Sequence, residues 1–350
     1  MSAAEKLIGL ELDGGWVVEA RLSLPQGHTG GHFSYGYRVL GPDGTPAFLK
    51  AIDFSAAINA SDPAVALQSL TEAFNHERAL LAECRDRRAD RVIRILDDGQ
   101  VSVPGEVPPI VQYLIFEMAD GDVRSQMIHT ADFDCAWALR SLHHVATGLK
   151  QLHMMRVAHQ DLKPSNVLVF DGIVSKVGDV GRSSHPDRRV KHDTFTIAGA
   201  RPYAPPELRY NHINPDWNAR RFACDMYLLG SMVASFFTGL SMSSLIFNEL
   251  QDSMHPGVGK WGGSYEEVLP YVRDAYGKAL DKFAQEVPEP IREDLTQIVR
   301  ELCDPDPAFR GYPALRGAPN PYDLERYVTR FDLMARRAEI KVTGGVNSHA

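Results

Sequence analysis

The chain has 350 residues, 44% hydrophobic and 23% charged, ordinary values for a globular protein with a real core, and room for one bilobal domain or two modest ones. Its net charge of −8 argues against general nucleic-acid binding, which needs a basic surface, and no apolar run is long enough to span a bilayer. Four cysteines, Cys84, Cys135, Cys224 and Cys303, lie scattered without a C-x-x-C pair or metal-ligand spacing, and the N-terminus has no charged start followed by a long apolar run. A cytoplasmic protein with reduced thiols, off the membrane, is expected.

In chain order, Trp16, Val18, Ala20 and Leu22 alternate with Val17, Glu19 and Arg21, the period-two pattern of a half-buried strand. Residues 33–40 and 48–52 read as further strands, with the turn signal G-P-D-G at 41–44 between them. A helix is predicted from about Asp62, whose carboxylate can cap the first turn; Leu67, Leu70, Phe74 and Leu81 share one face of it. Residues 113–116 read as another strand and 119–121 as a linker. From Phe133 the pattern turns helical, with Leu139, Leu142, Val145, Leu149 and Leu152 in one stripe. Strands Val167–Phe170 and Val174–Val177 flank the turn Asp171-Gly172, helices dominate from about Arg220 to Arg337, and the small polar residues 343–350 are expected to be disordered. A strand-rich lobe followed by a helix-rich lobe makes the fold class α+β.

The most specific segment is 159–166, H-Q-D-L-K-P-S-N. Moving a phosphoryl group to a hydroxyl needs a carboxylate to accept the proton, a cation near the transferred group and an oxygen to help hold a metal. Asp161, Lys163 and Asn166 supply these. Asp179-Val180-Gly181 follows beyond two short strands, with a second carboxylate for Mg²⁺. With average residue usage, H-x-D-x-K-x-x-N arises by chance in roughly one chain in a thousand of this length.

These residues resemble the catalytic loop H-R-D-L-K-x-x-N and the metal motif D-F-G of the eukaryotic-like (Hanks-type) Ser/Thr protein kinase superfamily. Further landmarks follow in order. F-L-K at 48–50 resembles the strand lysine that contacts the α- and β-phosphates. Glu77, on the apolar face of the helix that follows, needs a partner, and Lys50 is the candidate, with Glu72 the competing choice. Y-A-P-P-E at 203–207 resembles Y-x-A-P-E, and D-M-Y-L-L-G at 225–230 resembles D-x-W-x-x-G, whose aspartate braces the catalytic loop. D-P-D-P-A-F-R at 304–310 resembles the late D-P-x-x-x-R, so a buried Glu207–Arg310 pair is expected. Y-L-I-F-E-M-A at 113–119 resembles the strand entering the hinge, which implies that Phe116 stands behind the adenine, Glu117 and Ala119 bond its edge and Asp122 reaches the ribose. The resemblance implies a bilobal fold: a small antiparallel β-rich N-lobe with one long helix (12–119), a larger helical C-lobe (120–334) and a partly disordered tail (335–350). It also implies ATP and Mg²⁺ (or Mn²⁺) as cofactors, catalysis by Asp161 and Lys163, and metal binding by Asn166 and Asp179. The activity implied is transfer of the γ-phosphoryl group of ATP to Ser/Thr of protein substrates, including autophosphorylation, under control of a regulatory partner.

The chain departs from the family pattern at several points. T-G-G-H-F-S-Y-G at 29–36 stands for the glycine loop G-x-G-x-F-G-x-V, keeping Gly30 and Gly31 to cradle phosphates. Phe48 replaces the small residue that packs on adenine while Gly36 replaces the valine, a paired exchange that conserves volume. Gln160 replaces the arginine that grips an activation-loop phosphate, so activity without obligatory phosphorylation of residues 179–207 is expected. Gly199-Ala200-Arg201 replaces G-T-x, removing a hydroxyl that touches the catalytic residues. Two other readings are weighed: a pseudokinase serving as a nucleotide-binding regulatory or scaffold module, which the irregular loop and Phe48 favour, and a kinase-like small-molecule phosphotransferase. The stretch 324–340, with Arg326, Arg330, Arg336 and Arg337, reads as a closing helix of the large lobe or as a docking helix.

Overall fold

Five strands assemble into one sheet: β1 (Val17–Arg21), β2 (Ser34–Leu40), β3 (Pro46–Ile52), β4 (Ile95–Ser102) and β5 (Ile110–Glu117), antiparallel and in the order β1-β2-β3-β5-β4. They appear in a computed structural model that describes residues 2–22, 34–129, 133–258 and 260–346. The chain divides into two compact units, Met1–Asp120 and Gly121–Ala350. The first is a small antiparallel sheet with one long helix and the second is mainly helical, the α+β, two-lobed class expected.

In the first unit Val18, Tyr37, Val39, Leu49, Ala51 and Ile115 turn one sheet face into a core shared with Ala3, Ala4 and Leu7. The 3₁₀ turn Ala3–Glu5 is fastened there by the Tyr37 hydroxyl, which donates to Ala4 O at 2.6 Å. This unit therefore begins before residue 12, the boundary drawn from the sequence, because the buried Leu7 needs the sheet to cover it. Between β3 and β4 run α1 (Ser55–Ile58) and α2 (Pro63–Asp86). Asp62 accepts from Val65 N at 3.1 Å and Pro63 fills the first helical turn, where its missing N–H leaves no bond unmade. The buried face of α2 is Phe74, Glu77, Leu80, Leu81 and Cys84; Leu67 and Leu70 are only half-buried.

The second unit opens with β6 (Gly121–Asp122), α3 (Val123–His129) and α4 (Cys135–Met154), the last capped by Asp134 on Trp137 N at 3.0 Å. The predicted stripe of α4 is wholly buried. β7 (Val167–Phe170) pairs with β6 on one side and β8 (Val174–Val177) on the other in a three-stranded sheet, and Asp171 and Gly172, in the three-residue link between Phe170 and Val174, take the left-handed conformation of a tight hairpin turn. Then come α5 (Pro206–Arg209), α6 (Trp217–Thr238), α7 (Met242–Glu249), α8 (Tyr265–Glu286), α9 (Arg292–Leu302) and α10 (Glu325–Val346). From Ala223 to Phe236, α6 is buried on every side, so it forms the axis of the unit. α10 buries Tyr327, Phe331 and Ala335 and is tied to α4 by Arg140, which bonds Asp332 at 2.7 Å and Glu339 at 2.9 Å. It packs as a closing helix of the second unit, and the boundary drawn after residue 334 falls inside it. No single helix among the described residues is long and apolar enough to cross a membrane.

Candidate active site

In the first unit β3 presents Lys50 toward α2, and the Lys50 ammonium meets both oxygens of Glu77 at 2.8 Å. Glu77 is buried on the apolar face of α2, where an ionised carboxylate is tolerated only with a counter-charge. Glu72 lies on the exposed face and accepts from Gln68 instead, at 2.8 Å. Beside Lys50, a Cβ added at Gly36 would stand 2.8 Å from the Phe48 ring, so the large and small residues do interlock across β2 and β3. Phe48 also faces Phe116 of β5, ring centres 6.3 Å apart. Glu117 donates its amide to Arg94 O at 3.2 Å and accepts from Arg94 N at 2.9 Å; Ala119 follows β5 and is half-buried. Gly30 and Gly31 lie outside the described residues.

In the second unit the loop after α4 brings Asp161, Lys163 and Asn166 together. Asp161 Oδ2 accepts from Lys163 Nζ at 3.0 Å and from Asn166 Nδ2 at 3.0 Å. Its Oδ1 accepts from the amide of Ala200 at 2.7 Å. A backbone N–H therefore stands at the carboxylate where the family motif has a threonine hydroxyl. The approach requires Gly199, since a Cβ there would lie 2.4 Å from Gln160 O and 2.6 Å from Asp161 Oδ1. His159 Nδ1 accepts from Asp161 N at 3.2 Å while Nε2 donates to Gly178 O at 2.9 Å, which assigns the ring its Nε2–H tautomer. Gly178 in turn donates to Asn166 O at 2.8 Å, so Asp179, the next residue, is chained to the same loop. Asp179 is exposed and has a left-handed backbone, φ 50°. Asp122 Oδ1 accepts from Ser125 N at 2.7 Å and Ser125 Oγ at 2.8 Å, capping α3.

Asp225 of α6 is fully buried and braces the loop from below, accepting from His159 N and Gln160 N at 2.7 Å each and from His153 Nε2 at 2.9 Å. Gln160, itself left-handed at φ 65°, sends its amide nitrogen to Ser184 Oγ at 2.5 Å and Arg182 O at 3.2 Å. Its oxygen accepts from Arg221, a buried arginine that also donates to Asp193 O at 2.9 Å. Burial, and then the neighbouring charge of Arg220, pull the Arg221 guanidinium below its usual pKa, while the Asp193 carboxylate acts the other way. Arg221 and His153 were not singled out from the sequence. The usable signal was a charged residue heading into a long apolar helix. Farther along, Glu207 and Arg310 form a buried two-pronged pair, at 2.7 and 2.5 Å. Thiol chemistry has no foothold, because burial pushes Cys84 up to about 12 and Cys135 to about 11, and Cys224 and Cys303 higher.

Comparison with known proteins follows the same residues. The family model described as protein kinase domain matches residues 50–312. An Aurora/IPL1-related protein kinase 2 of Caenorhabditis briggsae is 30% identical over 128 residues, 36% of this chain and 39% of that protein. Cyclin-dependent kinase 2 of Caenorhabditis elegans is 28% identical over 178 residues, 45% of each chain. The serine/threonine-protein kinase atg1 of Dictyostelium discoideum is 32% identical over 143 residues, 40% of this chain and 20% of that protein. The chain thus spans less than half the length of each of these relatives.

Proposed function

The chain belongs to the protein kinase domain family, and from that premise we propose that it transfers the γ-phosphoryl group of ATP to serine and threonine hydroxyls of proteins, its own included. The observation that carries this is the Asp161 carboxylate, held on one oxygen by the Ala200 amide and on the other by Lys163 and Asn166. Asp161 takes the proton of the acceptor hydroxyl as its oxygen bonds to phosphorus and the bond to the ADP oxygen breaks. Lys163 offsets charge on the transferred group. Lys50, oriented by Glu77, holds the α- and β-phosphates, while the carbonyl of Glu117 and the amide of Ala119 take the adenine edge.

Mg²⁺ fits the donors. Asn166 uses its Nδ2 on Asp161, leaving a carbonyl oxygen as ligand, and Asp179 offers an exposed carboxylate; such hard oxygens suit Mg²⁺ or Mn²⁺ alongside water and phosphate. When bound, the ion neutralises phosphate charge. Activity does not require a phosphate on residues 179–207, because Arg221, Gln160 and Asp193 already tie that segment to α6. A regulatory partner protein is retained in the proposal; one relative is by its name cyclin-dependent. The unpaired cysteines suit a reducing compartment, which the cytoplasm provides. A nucleotide-binding module without transfer is the second reading, favoured by Phe48 at the position of a small residue.

The test is transfer from labelled ATP with Mg²⁺ to generic protein acceptors, with Asp161→Asn as control. Label on serine or threonine that disappears in the control is expected. No label, with nucleotide still raising the melting temperature, would select the second reading.

A further inference from the structure

The segment that bonds Asp161 also carries two arginines that meet no carboxylate among the described residues. Arg201 directly follows Ala200, whose amide lies 2.7 Å from Asp161 Oδ1. The amides of Tyr203 and Ala204 close a turn on Ala200 O at 3.0 and 3.1 Å. Ser241 Oγ, just before α7, fastens this turn at Pro202 O, and Ser243 Oγ fastens it at Ala204 O, both at 2.8 Å. The backbone of Arg201 is thereby fixed beside the catalytic loop while its side chain is exposed. Arg209, at the end of α5, lies over the ring of Phe247 with its guanidinium 4.0 Å from the centre, and its Nε is buried without a hydrogen-bond partner.

Neither arginine forms an ion pair among the described residues, in contrast to Arg310, whose charge is met by Glu207. Burial lowers the Arg209 pKa, and the charge of Arg201 lowers it further, with no carboxylate among the groups acting on it. Arg124 of α3 adds a third positive charge that reaches Tyr203 on the same segment. Two like charges, one half out of water, are a local liability that an incoming anion relieves. In a chain of net charge −8, positive charges left unmatched by carboxylates favour a negatively charged visitor where they sit.

We propose that Arg201 and Arg209 form an anion-recognising edge of the protein-substrate site, selecting acidic peptides whose aspartate or glutamate side chains flank the acceptor serine or threonine. This rests on Asp161 as the group that receives the acceptor hydroxyl. Guanidinium is suited to the task, since its planar fork grips a carboxylate through paired charge-assisted hydrogen bonds.

The test separates binding from transfer. Fluorescent peptides with one serine between glutamates, or between glutamines, are titrated with the full chain and read by anisotropy, then offered as acceptors with labelled ATP. The glutamate peptide is expected to bind roughly tenfold tighter at low ionic strength, with the margin shrinking as salt is added. Arg201→Glu, at an exposed position, should turn the preference toward a lysine-flanked peptide, and Arg209→Gln should narrow the original margin. Equal binding of the two peptides, or a margin unchanged in both variants while their melting temperatures match the parent, would overturn the edge. Loss of transfer to every acceptor, with the binding margin and its response to the variants intact, would instead remove the transferase activity and leave the edge standing.

Discussion

Lys50–Glu77 in the first unit and Arg310–Glu207 in the second join a cation to a carboxylate at different depths. The side chain of Arg310 is 0% exposed and that of Glu207 6%, whereas Lys50 is 25% exposed and Glu77 8%. Arg310 has its remaining donors engaged as well, on Asp304 O at 2.7 Å and on Ala223 O and Pro305 O at 3.3 Å, and it lies over the ring of Tyr227. Burial pulls its pKa down, but the charge and hydrogen bonds of Glu207 overcome that and hold it above the usual value, so its charge does not titrate at any workable pH. Lys50 instead offers a single ammonium on a flexible stem, with a quarter of its side chain reaching solvent. A fork sealed in the interior fixes a segment in place. A point charge near solvent can share itself with a third group, which a phosphate-binding lysine must do.

The contrast is broken most directly at Arg310. Arg310→Met leaves Glu207 buried without a counter-charge, and the expected loss is about 3–5 kcal/mol in urea unfolding. Adding Glu207→Gln to it should recover part of that loss, because the stranded charge is then gone. A loss below about 1 kcal/mol would place the pair with ordinary surface ones and erase the difference in depth.

Lys50→Met reads the other side of the comparison through activity. Glu77 is left buried without a counter-charge, so stability should also fall, by about 1–3 kcal/mol, less than in Arg310→Met because the lost Lys50 was itself a quarter exposed. Transfer should fall roughly 10²- to 10³-fold, since a cation aimed at phosphate charge is removed. Stability falling as far as in Arg310→Met, with transfer intact, would assign Lys50 a structural role only.

The two pairs also differ in how visible they are in the sequence. Glu77 declares itself, because a carboxylate among Phe74, Leu80 and Leu81 on one helical face must have a partner, and Lys50 sits on the strand before it. Glu207 and Arg310 are 103 residues apart, and only the resemblance of their motifs links them. β1 was legible from its alternation, and β2, β3 and β5 were read as strands, but β4 was not, since Asp97, Asp98 and Gly99 interrupt its pattern and the ladder to β5 supplies what local pattern lacks. Arg221 was illegible for the opposite reason. Its charge reads as surface in the chain, and only the packing of α6 against the loop that carries Gln160 encloses it.

That arginine gives the comparison its intermediate case. The side chain of Arg221 is 2% exposed and that of its partner Asp193 24%, at 3.6 Å. If depth governs the effect, Asp193→Asn should cost less than Arg310→Met, about 1 kcal/mol, because Arg221 retains the backbone carbonyl of residue 193 and the oxygen of Gln160. The functional consequence is smaller still for the unmodified chain. Asp193 provides the negative charge, and Gln160 and Arg221 the donors and acceptors, that hold this segment without a phosphate. Phosphatase treatment should therefore leave the transfer rate unchanged, whereas Asp193→Asn lowers it severalfold by loosening the segment that carries Ala200 to Asp161. A rate that vanished on dephosphorylation and returned on rephosphorylation would mean that the carboxylate of Asp193 does not replace the phosphate, and that Arg221 serves packing alone.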